Sequence, residues 1–307
     1  MIAKPVTVIT PVYNSDYLFE TVDSVISQDY PNIEYIIIDD GSKHFDEVSL
    51  REHLEKNNFS NFKILVHERN MGTVRTLNDA IVQSSGEYIF NIGGDDCFYD
   101  DRVISDWVEE FERSGALAIT SKRMICSEGD LREMYVQPSE RVAKTLRSAD
   151  PQKMFESMVS HNEIVGCSTA QSRRCFEEYG LFDEQYRLIE DYSRYMYLLR
   201  SGVVIHFMDR ITVRYRQGGI SSLGKSNEVY EEEGDRIFRN EILPFVSDKD
   251  NAERSYAKWK SRRRTETEFY RGLSGKRGFS RVMHCLRYMF KSPYIVAVYL
   301  RNRRFLR

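Results

Sequence analysis

The chain has 307 residues, 41% of them hydrophobic and 30% charged, which is enough for a large core and unlike a disordered or collagenous chain. Met1 to Pro5 run straight into an apolar stretch, and no segment approaches ~20 uninterrupted apolar residues, so neither a secretory leader nor a transmembrane helix is expected. The formal net charge of −3 hides an asymmetry: residues 269–307 carry ten Lys/Arg and no Asp or Glu, leaving 34 basic against 47 acidic residues before them.

The first 121 residues alternate short β-branched runs with amphipathic stretches. The runs are Val6–Ile9, Ile33–Ile38, Phe62–Val66, Tyr88–Ile92 and Leu117–Thr120. Helical patterns cover Tyr17–Gln28, Phe45–Lys56, Val74–Ser84 and Arg102–Arg113. Such alternation predicts βαβ units and a mostly parallel, Rossmann-like sheet flanked by helices, an α/β fold. Further on, Pro151–His161 reads as a helix capped by Asp150, and Ile164–Ala170 as a strand. Arg173–Gly180 reads as a short helix, Asp191–Arg200 as a helix and Val203–Phe207 as a strand. From about Ser226 the pattern is helical and charged. The expected organisation is a domain over 1–222, split into halves 1–121 and 122–222, followed by a basic helical extension over 223–307.

Ligands of open α/β sheets bind beyond the C-terminal strand ends. Three such ends are polar: Thr10-Pro11-Val12-Tyr13-Asn14, Asp39-Asp40-Gly41-Ser42 and Gly93-Gly94-Asp95-Asp96. The five cysteines form no Cys-x-x-Cys pair, which favours reduced thiols in a cytosol over a zinc site. The six histidines show no ligand spacing.

Over residues 5 to 221 the chain resembles the family 2 glycosyltransferases, which have the GT-A fold. The resemblance is carried by Val8–Asn14, Ser24–Glu34, Ile38–Ser42, Asn70-Met71-Gly72 with Asn78, Gly86–Ile89, Asp95-Asp96, Gly180–Glu184 with Glu190-Asp191, and Tyr215–Ser221. It implies inverting transfer of a sugar from a nucleotide-diphosphate sugar, with UDP the expected nucleotide, to a saccharide or lipid-linked saccharide acceptor. The implied setting is bacterial surface polysaccharide or glycolipid synthesis, in the cytoplasm or on the inner face of the cell membrane.

The resemblance also assigns candidate roles. Asp39 would accept from a nucleobase N–H; Asp40 is either a second nucleotide contact or a turn residue. Pro11, Tyr13 and Asn14 would line the base pocket. Arg75 would meet the diphosphate or Asp39, unless it is an ordinary surface arginine. Asp95 and Asp96 sit at the family's metal motif, where hard oxygens suit Mn2+ or Mg2+, and Asp95 would also contact the nucleotide. Here Gly93 stands where the first acid of that motif is expected. Asp191, preceded by Glu190, is the candidate catalytic base, a role compatible with capping its helix. Arg216 and Ser221 would close over the diphosphate, with Gly218-Gly219 giving a flexible lid.

Two other readings stay open: a sugar-nucleotide-binding protein with little or no turnover, and a nucleotidyltransferase. The second would favour a glycine-rich phosphate loop after the first strand, and Thr10–Asp16 has no glycine.

In the tail, Phe279, Val282, Met283, Leu286, Met289 and Phe290 recur at helical spacing, with Arg281, Arg287 and Lys291 off that stripe. This pattern suits peripheral membrane contact, and equally a helix packed on the domain with a solvated basic end. No aromatic–basic platform indicates nucleic acid.

Overall fold

The computed structural model describes residues 3–219, 227–273 and 276–302. The expected alternation appears as β1 (Val6–Val12), α1 (Leu18–Ile26), β2 (Ile33–Asp39), α2 (Glu47–Lys56), β3 (Phe62–Val66), α3 (Thr73–Gln83) and β4 (Tyr88–Asn91). Then come β5 (Cys97–Phe98), α4 (Val103–Ser114), β6 (Ala118–Cys126), β7 (Glu133–Gln137), α5 (Glu140–Leu146) and α6 (Pro151–Ser157). After a 3-10 turn at Gly166–Ser168 follow β8 (Thr169–Ser172), α7 (Arg173–Tyr179), α8 (Glu190–Arg200) and β9 (Ile205–Arg216). The helices α9 (Glu228–Ile237), α10 (Lys249–Leu273), α11 (Gly278–Lys291) and α12 (Pro293–Asn302) form the extension.

The sheet order is β3-β2-β1-β4-β8-β6-β9-β5, with β7 against the end of β6. Strands β1 to β4 are parallel to one another; β8, β5 and β7 enter antiparallel. This is the GT-A arrangement. All seven residues of β2 are buried, as helices on both faces require. Side chains alternate across it: Ile36 and Ile38 join a core with Leu77 and Ile81 of α3, while Tyr35 and Ile37 join a second with Trp107 and Phe111 of α4. In α1, burial of Leu18, Thr21, Val22 and Val25 follows the helical repeat.

Register fixes the site. Val12 lies opposite Asp39. Past the strands, the Asp40 N–H donates to Val12 O at 2.8 Å and the Gly94 N–H to Pro11 O at 3.1 Å. The three polar strand ends read from sequence are therefore side by side.

The structure departs from the expected elements in the second half. The strand expected over Ile164–Ala170 begins only at Thr169, because Gly166–Ser168 turns. Strand β9 runs on to Arg216, its polar residues being held by pairing with β6. The boundary expected at 222 does not divide the core: Ile237, Phe238, Ile242, Ala252 and Tyr256 share a cluster with Ile9 and Ile36. The end of α10 with α11 and α12 forms a small cluster of its own around Phe269, Tyr288 and Tyr299.

The buried carboxylate of Glu233, on α9, accepts the N–H groups of Arg187, Leu188 and Ile189 at 2.6, 2.9 and 3.1 Å. These residues lead directly into Glu190 at the start of α8. The extension thus fixes the entry to the candidate catalytic pair. Glu233→Ala leaves three N–H groups without their acceptor and is expected to destabilise the fold by about 2–4 kcal/mol. Denaturant unfolding measures this; an unchanged midpoint would mean that water replaces the carboxylate.

Candidate active site

The two acids that end β2 have different surroundings. Asp40 Oδ1 accepts the Met71 N–H at 2.6 Å, Oδ2 accepts the Gly72 N–H at 2.9 Å, and His67 Nδ1 lies 3.1 Å from Oδ1. Both oxygens of Asp40 are engaged in shaping the loop before α3, the turn role left open by the sequence. Gly72 there has φ +92, and a Cβ would stand 2.3 Å from the Arg187 side chain, so only glycine fits. Asp39 is also buried, but only its Oδ2 has a partner, the Ser42 N–H at 2.9 Å. Its Oδ1 is buried with none among the described residues. An orphan carboxylate oxygen is costly unless a ligand donor meets it.

Around Asp39, Asn14 links two strand ends: its N–H donates to Ser42 Oγ at 2.7 Å and its Oδ1 accepts the Lys43 N–H at 3.0 Å. Asn14 shapes the pocket wall through the loop after β2. Tyr13 beside it is half exposed, leaving a ring face open for stacking, and Pro11 carries the carbonyl that holds Gly94.

In the turn after β4, a Cβ on Gly93 would lie 3.0 Å from Asp95 Oδ1 and 3.6 Å from Asp96 Oδ2. Both acids therefore present an oxygen to the space that the missing side chain leaves. Among the described residues no three His, Cys, Asp or Glu converge as a cation cage. Burial and the neighbouring Asp95 charge hold the Asp96 carboxyl well above the usual range, partly offset by the Arg216 N–H and the charges of Arg123 and Arg216.

Arg216 is not poised over this turn as a lid. It is 1% exposed and knits the site from beneath. Its N–H donates to Asp96 Oδ1 at 2.9 Å and its Nε to Asp95 O at 2.9 Å; Nη1 donates to Glu128 O at 2.8 Å and Nη2 to Glu20 Oε2 at 2.6 Å. The guanidinium also stacks on Tyr17 at 3.6 Å. With these donors committed, the diphosphate role expected of Arg216 gives way to a scaffold role. Ser221 lies outside the described residues.

Glu190 and Asp191 open α8. Asp191 Oδ1 accepts the Tyr192 N–H at 2.6 Å and Oδ2 accepts from Asn162 Nδ2 at 2.9 Å. Gly166 packs against both acids, and a Cβ there would lie 3.0 Å from Asp191 Oδ2 and 3.3 Å from Glu190 Oε1. Burial raises both carboxyls. The Asp191 charge drives Glu190 further up, whereas the Tyr192 N–H and the Arg123 charge hold Asp191 lower. Two neighbouring acids pushed apart in this way suit an ionised base beside a protonated partner.

Arg123, on β6, joins the two acid pairs. Its charge favours the ionised form of both Asp96 and Asp191. Among the described residues its hydrogen-bond partners are neutral: Gln137 Oε1 at 2.9 Å and Cys167 Sγ at 3.6 Å; its face rests on Tyr215 at 4.0 Å. Cys167 follows Gly166 directly, so one turn touches Arg123 on one side and the Glu190-Asp191 pair on the other. Sequence reasoning passed over Arg123, Asn162 and Glu233. The signal available for Arg123 was a Lys122-Arg123 pair directly before the apolar end of β6, Met124-Ile125-Cys126.

Arg75 lies apart from Asp39. It is exposed and pairs with Asp79 and with Glu184, each at 3.0 Å. Asn78 is buried and exchanges hydrogen bonds with Phe182, donating to its O at 2.9 Å and accepting its N–H at 3.0 Å.

Several known proteins are similar to this chain. One is a putative teichuronic acid biosynthesis glycosyltransferase, TuaG, of Bacillus subtilis, 28% identical over 69% of this chain and 79% of its own length. Another is an uncharacterized glycosyltransferase of Rickettsia typhi, 26% identical over 69% of this chain. The match spans 63% of that protein, and 36% of a Rickettsia felis relative. Among solved structures, S. aureus TarS in complex with UDP superposes with a TM-score of 0.58 at 20% identity, over 91% of this chain and 77% of that one. The mannosyltransferase PcManGT from Pyrobaculum calidifontis, in complex with GDP-Man and Mn2+, gives 0.56 at 15% identity, over 100% and 86%. The family model described as glycosyl transferase family 2 matches residues 7–180, more than half of the chain, and the protein therefore belongs to that family of glycosyltransferases.

Proposed function

We propose that this glycosyltransferase moves a sugar, with inversion, from a UDP-sugar to a hydroxyl of a saccharide or lipid-linked saccharide, in bacterial surface polysaccharide synthesis at the inner face of the cell membrane. The observation that carries the reading is the partnerless buried Asp39 Oδ1 at strand ends that hydrogen bonds hold side by side, together with the buried Glu190-Asp191 pair packed against Gly166. The likeness to TuaG, a putative teichuronic acid biosynthesis glycosyltransferase, supports the polysaccharide setting, and the likeness to TarS in complex with UDP supports the nucleotide.

In this reading the uracil N–H donates to Asp39 Oδ1 and the base stacks on Tyr13. Asp95 and Asp96 are the residues that would hold Mn2+ or Mg2+, which would supply Lewis-acid assistance to the leaving diphosphate. Gly93 leaves room there for the phosphates. Arg123 adds a fixed positive charge near the same turn. Asp191 takes the proton from the acceptor hydroxyl as its oxygen bonds to the anomeric carbon; the bond to the diphosphate breaks and its electron pair departs with UDP. Glu190, protonated, keeps a second negative charge away from the attacking oxygen.

Release of UDP from a panel of nucleotide sugars, with lipid-linked acceptors and with or without Mn2+, tests the reading. Release from one UDP-sugar is expected; none from any donor would favour a binding protein without turnover, an alternative to which the single Gly93 substitution lends weight. Asp191→Asn is expected to bind donor within about threefold of wild type and to transfer ~10²–10⁴-fold more slowly. Unchanged transfer would remove Asp191 from the chemistry.

The pH profile provides an independent check. A base works when deprotonated, and burial raises Asp191, so activity should fall on acidification at a pH above the ordinary aspartate range. Arg123→Gln removes a charge that favours ionised Asp191, so this acid limb should move to higher pH. A limb that stays in place would show that Arg123 does not act on Asp191.

A further inference from the structure

Among the described residues, the outward face of α11 has no partner. Phe279 and Phe290 are 80% and 94% exposed, and Val282, Met283, Leu286 and Met289 between them are also exposed. Their spacing places all six on one stripe of the helix. The opposite face is already satisfied: His284, Cys285 and Tyr288 are buried, and Cys285 and Tyr288 pack with Phe269, Leu273 and Tyr299. The stripe is therefore not the face that attaches α11 to the protein. This decides against packing of the stripe on the catalytic domain, one of the two readings the sequence left open. Tyr294 and Leu300 of α12 extend the exposed apolar surface.

We propose that this face is a docking surface for an anionic phospholipid bilayer, with α11 lying in the plane of the interface. Charge complementarity selects this occupant. Residues 269–307 contain ten Lys/Arg and no acid; Arg287 is exposed on the flank of the stripe and Arg277 is exposed at the N-terminus of α11. An apolar groove on another protein would match the phenyl groups alone. An anionic bilayer takes the phenyl groups into its acyl boundary and the guanidinium groups among its phosphates. Fourteen residues make a helix about 21 Å long, short of the ~30 Å hydrocarbon core, and no described helix is long and apolar enough to cross a membrane. Contact is thus parallel to the surface. The proposal goes beyond sugar transfer and does not depend on it.

Flotation of the full chain with phosphatidylglycerol–phosphatidylcholine vesicles tests it. Wild type should float with these, far less with pure phosphatidylcholine, and less again in high salt. Phe279→Asp with Phe290→Asp should weaken binding by at least about tenfold. Arg277→Glu with Arg287→Glu should weaken binding to anionic vesicles alone. Both pairs are at exposed positions away from the active site, so UDP release with a soluble acceptor should persist. Wild type that ignores anionic vesicles, or a phenylalanine pair that floats as wild type does, would overturn the proposal. So would wild type that sediments as a dimer which the phenylalanine pair dissociates while vesicle binding is unaffected, since the face would then join two copies. Vesicle binding needs no turnover, so its failure would remove the membrane setting and leave the reading of sugar transfer itself untouched.

Discussion

Crowding of carboxylates is the constraint on which this site depends. Asp95-Asp96 sit in the turn after β4 and Glu190-Asp191 at the start of α8; in each pair burial disfavours charge and one ionised acid disfavours its neighbour. Arg123 is the counterweight, because its charge favours ionisation on both sides of the cleft. Its other contacts are to a neutral amide, a thiol and a tyrosine ring. Among the described residues it makes no direct ion pair, so its charge acts on these acids through space.

The remainder of the scaffold fixes the loops around these acids. Buried polar side chains do so largely through backbone groups. Asp40 takes the N–H groups of Met71 and Gly72, Glu233 takes those of residues 187–189, and Arg216 caps carbonyls of Asp95 and Glu128. Arg187 completes a chain of contacts by donating to Asn70 Oδ1 at 2.6 Å, next to the loop that Asp40 shapes. The loop that Asp40 shapes and the start of α8 are connected in this way through α9, so the helical extension contributes to the geometry of the candidate site.

The parts legible in the sequence are those with a local physical signature. Strands β1 to β4 are β-branched runs that burial on both faces demands, and their polar ends pointed to Asp39, Asp95 and Asp96. The resemblance to a known family added the Glu190-Asp191 pair and the GT-A fold. What stayed hidden depends on distant chain. Two-residue β5 exists only through its pairing with β9, and β7 alternates too weakly to signal a strand. Arg216 looked like a free cation because the carbonyls it holds belong to residues about 90 to 120 positions away. Glu233 lies among other acids of a charged helix, and nothing local sets it apart from Glu231 or Glu232.

The stereochemistry of transfer tests the central claim, that Asp191 serves as a base in a single displacement and not as a nucleophile. An α-linked UDP-sugar should give a β-linked first product, seen in the anomeric proton coupling of the freshly formed glycoside by NMR. A product that keeps the α-configuration would exclude a single in-line displacement, and would contradict the role of Asp191 as its base.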